Sequence, residues 1–202
     1  VRMLPSGDAA VLVELADLDE VLALHAALTD PPDGVLDVVP AARTVLVALD
    51  PGRTSVAAVA SWVRAAEPVT GARPDGVEVE VPVHYDGEDL ADVAAALGCG
   101  VGEVVARHTG TVWTVAFGGF APGFGYAVPE GGGWDVPRRA VPRTRVPAGS
   151  VAVAGGFGAV YPQASPGGWQ LLGRTDLVVF DVDRDPAALL RPGVRIRFTE
   201  AR

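Results

Sequence analysis

The chain has 202 residues, 49% of them hydrophobic and 20% charged, a globular profile with room for one large domain or two small ones. A formal net charge of −9 argues against nucleic acid as a partner, because such binding needs clustered cations to displace phosphate counterions. The single cysteine, Cys99, excludes an intrachain disulfide and a four-cysteine zinc site and fits a reducing compartment. No apolar run approaches the roughly 20 residues of a membrane helix, and the first residues lack a basic head followed by an apolar block. The expected location is the cytoplasm.

In chain order, Ala10–Leu15 reads as a strand, and Asp19 as the cap of a helix running to about Leu28. Pro31, Pro32 and Gly34 break that helix. Val35–Val39 and Thr44–Leu49 read as strands, and Thr54 or Ser55 as the cap of a helix from Val56 to about Ala66. Val77, Val79, Val81 and Val83 alternate with polar residues or proline, a half-buried strand. The order β-α-β-β-α-β predicts a ferredoxin-like α/β domain over residues 1–80, although the last strand could instead open the next domain.

Beyond His84 the texture changes. Glu88–Leu97 reads as a helix ended by Gly98, and Gly102–His108 as a second. This pair resembles a helix-turn-helix, but only Arg107 and His108 could reach a base or phosphate, so packing against a β domain is the better reading. Val112–Phe117, Val151–Ala154, Leu177–Val182 and Val194–Phe198 then read as short strands punctuated by Gly and Pro, which predicts a closed or sandwiched β structure.

Two clusters carry chemistry. In Phe117–Tyr126 four aromatics interleave with glycines and Pro122, a loop too apolar to lie idle in water; it lines a pocket, a partner interface or a core crossing. In the Pro137–Pro147 segment, Arg138, Arg139, Arg143 and Arg145 fall on a proline-stiffened loop. Such a loop could grip a carboxylate or phosphate bidentately, or form a solvated cationic face. The glycines Gly155, Gly156 and Gly158 lack the Lys-Ser/Thr of a phosphate loop and predict a tight β-turn. His108, at a helix end, fits either a dipole-favoured cation or an acid–base or ligand-binding role. Ser150 lacks the surroundings of a nucleophile elbow.

The ordered run His108-Thr109, Gly119–Phe124, Pro137-Arg138, Pro142-Arg143, Val146–Val151, Tyr161-Pro162, Ser165–Trp169 and Gly173–Thr175 resembles the allophanate hydrolase subunit 1 family. That family is also described as carboxyltransferase subdomain A/B, and it includes the 5-oxoprolinase B-subunit and the sporulation-kinase inhibitor KipI. The run departs from the family at Phe157-Gly158-Ala159, where members usually carry Gln-Thr-Gly. The resemblance implies a cyclophilin-like β-barrel over residues 81–202. It also implies a heteromeric, ATP-using 5-oxoprolinase that converts 5-oxo-L-proline to L-glutamate with partner subunits C (allophanate hydrolase subunit 2-like) and A. The alternatives are inhibition of a sensor histidine kinase, or a subunit of an allophanate- or urea-metabolising carboxyltransferase-type hydrolase. On this reading His108 and Arg143 are candidate catalytic residues, and Arg138, Arg174 and Ser150 bind substrate or anion. Phe120, Pro122, Phe124, Tyr161 and Trp169 shape a pocket or subunit seam. No metal site is expected.

Overall fold

The structure, a computed structural model, describes residues 1–69 and 77–201. It is mixed α+β and divides into two compact units, Val1–Arg73 and Pro74–Arg202.

The first unit holds strands β1 (Arg2–Pro5), β2 (Ala10–Glu14), β3 (Val35–Pro40) and β4 (Thr44–Leu49), with helices α1 (Leu18–Ala27) and α2 (Val56–Ala65). All neighbours in the sheet, order β1-β2-β4-β3, are antiparallel. Val11, Val13, Val45, Val47 and Leu49 alternate onto one face and bury against Val21, Leu24, Val59 and Val63 of the helices. Both helices start at side-chain caps. Asp17, rather than the expected Asp19, accepts from the Glu20 amide, and Ser55 accepts from the Ala58 amide. One split βαβ unit is present: β2 and β3 flank β4 and are joined by α1. The second half of the expected motif is absent, because the edge beside β2 is filled by β1 from upstream rather than by the valine-rich strand after α2.

That strand, β5 (Glu78–Val83), pairs in parallel with β13 (Arg195–Glu200) and belongs to the second unit. A boundary at residue 80 would cut it in two. The remaining elements are helices α3 (Leu90–Leu97) and α4 (Val101–Gly110) and strands β6 (Val112–Gly118), β7 (Gly125–Pro129), β8 (Arg143–Val146), β9 (Ser150–Ala154), β10 (Phe157–Val160), β11 (Ser165–Gly167) and β12 (Gln170–Arg174). Seven strands form one sheet, order β12-β9-β10-β7-β6-β13-β5. Its two edges meet where His84 and Arg174 exchange backbone hydrogen bonds of 2.8 and 3.0 Å, so the sheet is a nearly closed barrel. Closure needs Gly173, since a Cβ there would lie 2.1 Å from the His84 carbonyl oxygen. The β9–β10 hairpin turns on Gly155 and Gly156, both at positive φ, as the glycine cluster predicts. Leu177–Val182 is not a strand; it makes only the isolated bridge Phe180–Ala188.

Alternation splits the packing of this sheet into two layers. Val81, Val83, Val115, Val151, Val153, Val160, Leu172, Ile196 and Phe198 fill the interior, where α3 and α4 add Leu90, Val93, Ala94 and Val104. On the opposite face of β9, β10 and β12 the residues are Ala152, Ala154, Ala159 and Leu171, with Tyr161 just past β10, also buried. The three alanines leave room for a second layer of rings.

Candidate functional site

Phe124 is the centre of that second layer. Its ring meets Tyr126, Tyr161, Phe120 and Trp169 edge-on at centroid distances of 5.1 to 5.5 Å, a geometry that aligns ring edges with ring faces. Phe117 stacks on Tyr126 at 4.5 Å. The loop Gly118–Phe124 is held by hydrogen bonds from the Gly119 amide to the Phe124 carbonyl and from the Phe124 amide to the Ala121 carbonyl. Phe120 adopts φ +64°, a region costly for a side chain with a Cβ, and the residue remains 60% exposed. Pro122 beside it is exposed, whereas Phe124, Tyr161 and Trp169 are buried. The sequence-predicted aromatic residues are therefore brought together.

The arginines divide into two roles. Asp89, 1% exposed, opens α3 but does not cap it. Its carboxylate accepts two hydrogen bonds of 2.8 Å from Arg143, one from Arg139 and one of 2.7 Å from the Leu171 amide. Arg143 also donates to Glu88 at 3.0 Å. Burial works to raise the Asp89 carboxyl, but the hydrogen bonds from Arg143 and Leu171, with the charges of Arg143 and Arg139, outweigh it and hold the group below the usual carboxylate range. Arg143 is thus an internal counter-ion, already neutralised, rather than the catalytic anion grip expected of it. Arg174 likewise pairs with Asp86 at 3.0 Å and with Asp176 at 3.8 Å.

Arg138 and Arg145 are exposed and take no carboxylate partner among the described residues. Arg138 lies close enough to Tyr126 and Tyr161 that its charge acts on both phenols. Burial raises both, and Arg138 opposes the rise. An exposed guanidinium without a carboxylate partner among the described residues can hold a planar anion bidentately.

His108 is elsewhere. It is fully buried in the barrel interior, stacked on Phe198 at 4.2 Å and ringed by Tyr85, Trp113 and Trp134. Its Nδ1 lies 2.7 Å from the Tyr85 hydroxyl, and burial pushes its pKa down to about 3. A neutral imidazole sealed from solvent has no route for the proton transfer expected of it. Ser150 is buried at the start of β9, in register with Arg174. Asp89, Tyr126 and Arg145 were not among the predicted site residues. Only the Glu88-Asp89 pair, set against an arginine-rich loop, hinted at the ionic hub.

A cavity of about 580 Å³ opens in the first unit among Met3, Leu15, Leu24, Val63 and Pro68, and none of the predicted site residues lines it. Of its acids, Asp17 and Glu20 are committed to the start of α1. No helix among the described residues is long and apolar enough to cross a membrane.

Comparison with known proteins places the chain in a family. The chain is 40% identical to the 5-oxoprolinase B-subunit of Escherichia coli O157:H7, over 95% of this chain and 92% of that protein. It is 42% identical to the 5-oxoprolinase B-subunit of Bacillus subtilis strain 168 over 59% of this chain and 51% of that one. The crystal structure of TTHA0988 superposes with a TM-score of 0.79 at 38% identity, covering 96% of this chain but only 40% of the TTHA0988 chain. The Kluyveromyces lactis urea amidolyase, at 18% identity and a TM-score of 0.77 over 98% of this chain and 15% of that one, shows the shared fold. The subdomains matched are C and D, where the sequence resemblance pointed to A and B. On a family model that spans residues 1–190, the chain belongs to the carboxyltransferase domain, subdomain C and D family.

Proposed function

We propose that the chain is a subunit of a heteromeric ATP-dependent 5-oxoprolinase, converting 5-oxo-L-proline to L-glutamate with ATP hydrolysis and acting only with partner subunits C and A. The observation that carries the reading is the 40% identity to the 5-oxoprolinase B-subunit over nearly the whole of both chains. The fold is read accordingly: the nearly closed barrel as cyclophilin-like, and the first unit as a ferredoxin-like sheet whose fourth strand comes from the N-terminal side.

The chemistry of the outer aromatic layer supports this reading. 5-Oxoproline is a small planar lactam with one carboxylate. Arg138 would hold the carboxylate, the Tyr126 and Tyr161 hydroxyls would orient it, and Phe120, Phe124 and Trp169 would shelter the ring from bulk water. ATP supplies the driving force when bound to the complex. On this chain Arg145 is the remaining exposed cation in the same segment that a phosphate could meet.

The test is glutamate formation from 5-oxoproline and ATP by the reconstituted three-subunit mixture, with each subunit omitted in turn. Omission of this chain is expected to abolish turnover. Arg138→Ala is expected to raise KM roughly tenfold to hundredfold, the loss of one charge-assisted contact. Turnover that persists without this chain would overturn the proposal.

A further inference from the structure

Two surface segments of the second unit meet at one point. Phe180 packs on Gly123 so closely that a Cβ there would lie 2.5 Å from the Phe180 Cβ. Phe120, three residues before Gly123, is 60% exposed, and Val178 and Val182, each two residues from Phe180, are 60% and 75% exposed, so the contact draws exposed apolar residues of both segments toward one face. The exposure is imposed by a shaped segment. Arg184 donates to the carbonyls of Val178 and Ala187 at 2.9 Å and of Pro186 at 3.3 Å. The Asp181 amide donates to the Ala187 carbonyl at 3.0 Å, and the Leu189 amide to the Val179 carbonyl at 2.8 Å. The one cation of the segment is thereby tied to its own backbone, and Asp181, Asp183 and Asp185 are left exposed among the valines. Large apolar side chains held in water beside an acidic fringe mark a surface made for a protein partner.

We propose that the face formed by Phe120, Val178, Phe180 and Val182 docks a second, different polypeptide, one that presents an apolar patch flanked by lysine or arginine opposite the aspartates. The fringe selects that occupant. Three unpaired carboxylates repel an anionic bilayer, and a two-fold axis through this segment would set aspartates against aspartates. The TTHA0988 chain, which carries the same fold over 40% of its length, keeps a further stretch of polypeptide tethered to it. The inference rests on the heteromeric half of the function proposed above and goes beyond it by naming the surface. Because Phe120 also borders the ring layer through Phe124 and Tyr161, a partner seated here would cover that layer.

The experiment uses this full chain and, as probe, the source organism's polypeptide most similar to the remainder of the TTHA0988 chain, produced separately and titrated by calorimetry. Val182→Asp and Phe120→Asp are each expected to weaken binding at least about tenfold, the scale of a central interface residue. Asp183→Lys is expected to weaken it and to flatten its salt dependence. Val101→Asp, a control at an exposed valine on α4, is expected to bind as the parent does. All four positions are on the surface, and thermal unfolding reports whether each variant folds. Parent-like binding by all of the patch variants would overturn the docking face while leaving the heteromeric reading intact. Failure of the parent chain to bind the probe would overturn both. Self-association of the parent chain that Val182→Asp abolishes would replace the foreign partner with a second copy.

Discussion

Replacing Asp89 by asparagine tests whether the arginine loop is built around a buried carboxylate. The substitution keeps the volume and removes the charge. In the parent, four donors converge on two oxygens: Arg143 twice, Arg139 once and the Leu171 amide once. An asparagine offers one oxygen, and its amide nitrogen then faces a guanidinium, donor against donor. Arg143, whose side chain is 14% exposed, loses its main partner, and Glu88 at the surface compensates only one of its nitrogens. Breaking a buried pair from one side costs roughly 3–5 kcal/mol. At about 3 °C per kcal/mol for a chain of this size, that lowers the unfolding midpoint by about 10 °C. The assay is urea unfolding of the parent, Asp89→Asn, Arg143→Met and the double variant. The double variant is expected to be more stable than the sum of the single losses, because it removes the charge that either single change strands. A loss below about 1 kcal/mol for Asp89→Asn would refute the assignment of Arg143 as an internal counter-ion and reopen it as an anion-binding group.

His108 makes stability fall in acid. Its pKa is depressed from 6.5 to about 3 in the folded chain, so the unfolded chain takes up a proton that the folded one refuses. Stability is then full above pH 6.5 and falls toward pH 3, by roughly 3 kcal/mol between pH 6.5 and 4; chemical denaturation across that range checks it, and an unchanged slope in His108→Phe would contradict it. Gly173→Ala is expected to open the seam between β12 and β5, and hydrogen exchange at the His84 and Arg174 amides is expected to accelerate well beyond that of the interior strands. Arg174→Ala, which removes only exposed ion pairs, is expected to change stability by less than about 1 kcal/mol in the same denaturation assay.

Local patterns were legible wherever one periodicity dominated. The valine alternation of β5, the serine cap of α2 and the glycine turn between β9 and β10 are all readable from neighbours in sequence. What the sequence hid were the pairings. The alternation of β5 states that one face is buried, but its partner β13 lies more than a hundred residues downstream, so nothing local chooses between the two sheets. β1 escaped because four residues ending in Pro5 carry little periodic signal. At the site, the aromatic cluster was legible from composition, whereas the roles within the arginine loop were not. Arg138 and Arg139 are adjacent, and only the position of Asp89, some fifty residues away, decides that one is anchored and the other exposed. His108 looked functional because a helix-terminal histidine beside a glycine-rich region is ambiguous until burial is known.

The ionic hub explains why an exposed cation can be placed with accuracy at all. An arginine on a mobile loop loses side-chain entropy on gripping an anion, and that loss offsets much of the contact. Here the segment is fixed at both ends of the cluster. Arg139 and Arg143 reach Asp89, the Arg139 amide donates to the Gly168 carbonyl at 2.8 Å, and Gln170 donates to the Pro137 carbonyl at 3.2 Å. Arg138 lies between these anchors, so its backbone has little freedom left to lose. The small outer-face residues Ala152, Ala154 and Ala159 let the ring layer sit close to the barrel, and that layer carries the two phenols on which Arg138 acts. With the anchors in place, Arg139→Ala is expected to weaken anion binding at Arg138 without touching the anion, through a higher KM and an unchanged kcat. A variant in which Arg138 still binds as tightly after the hub is dismantled would show that the loop is held by something other than Asp89.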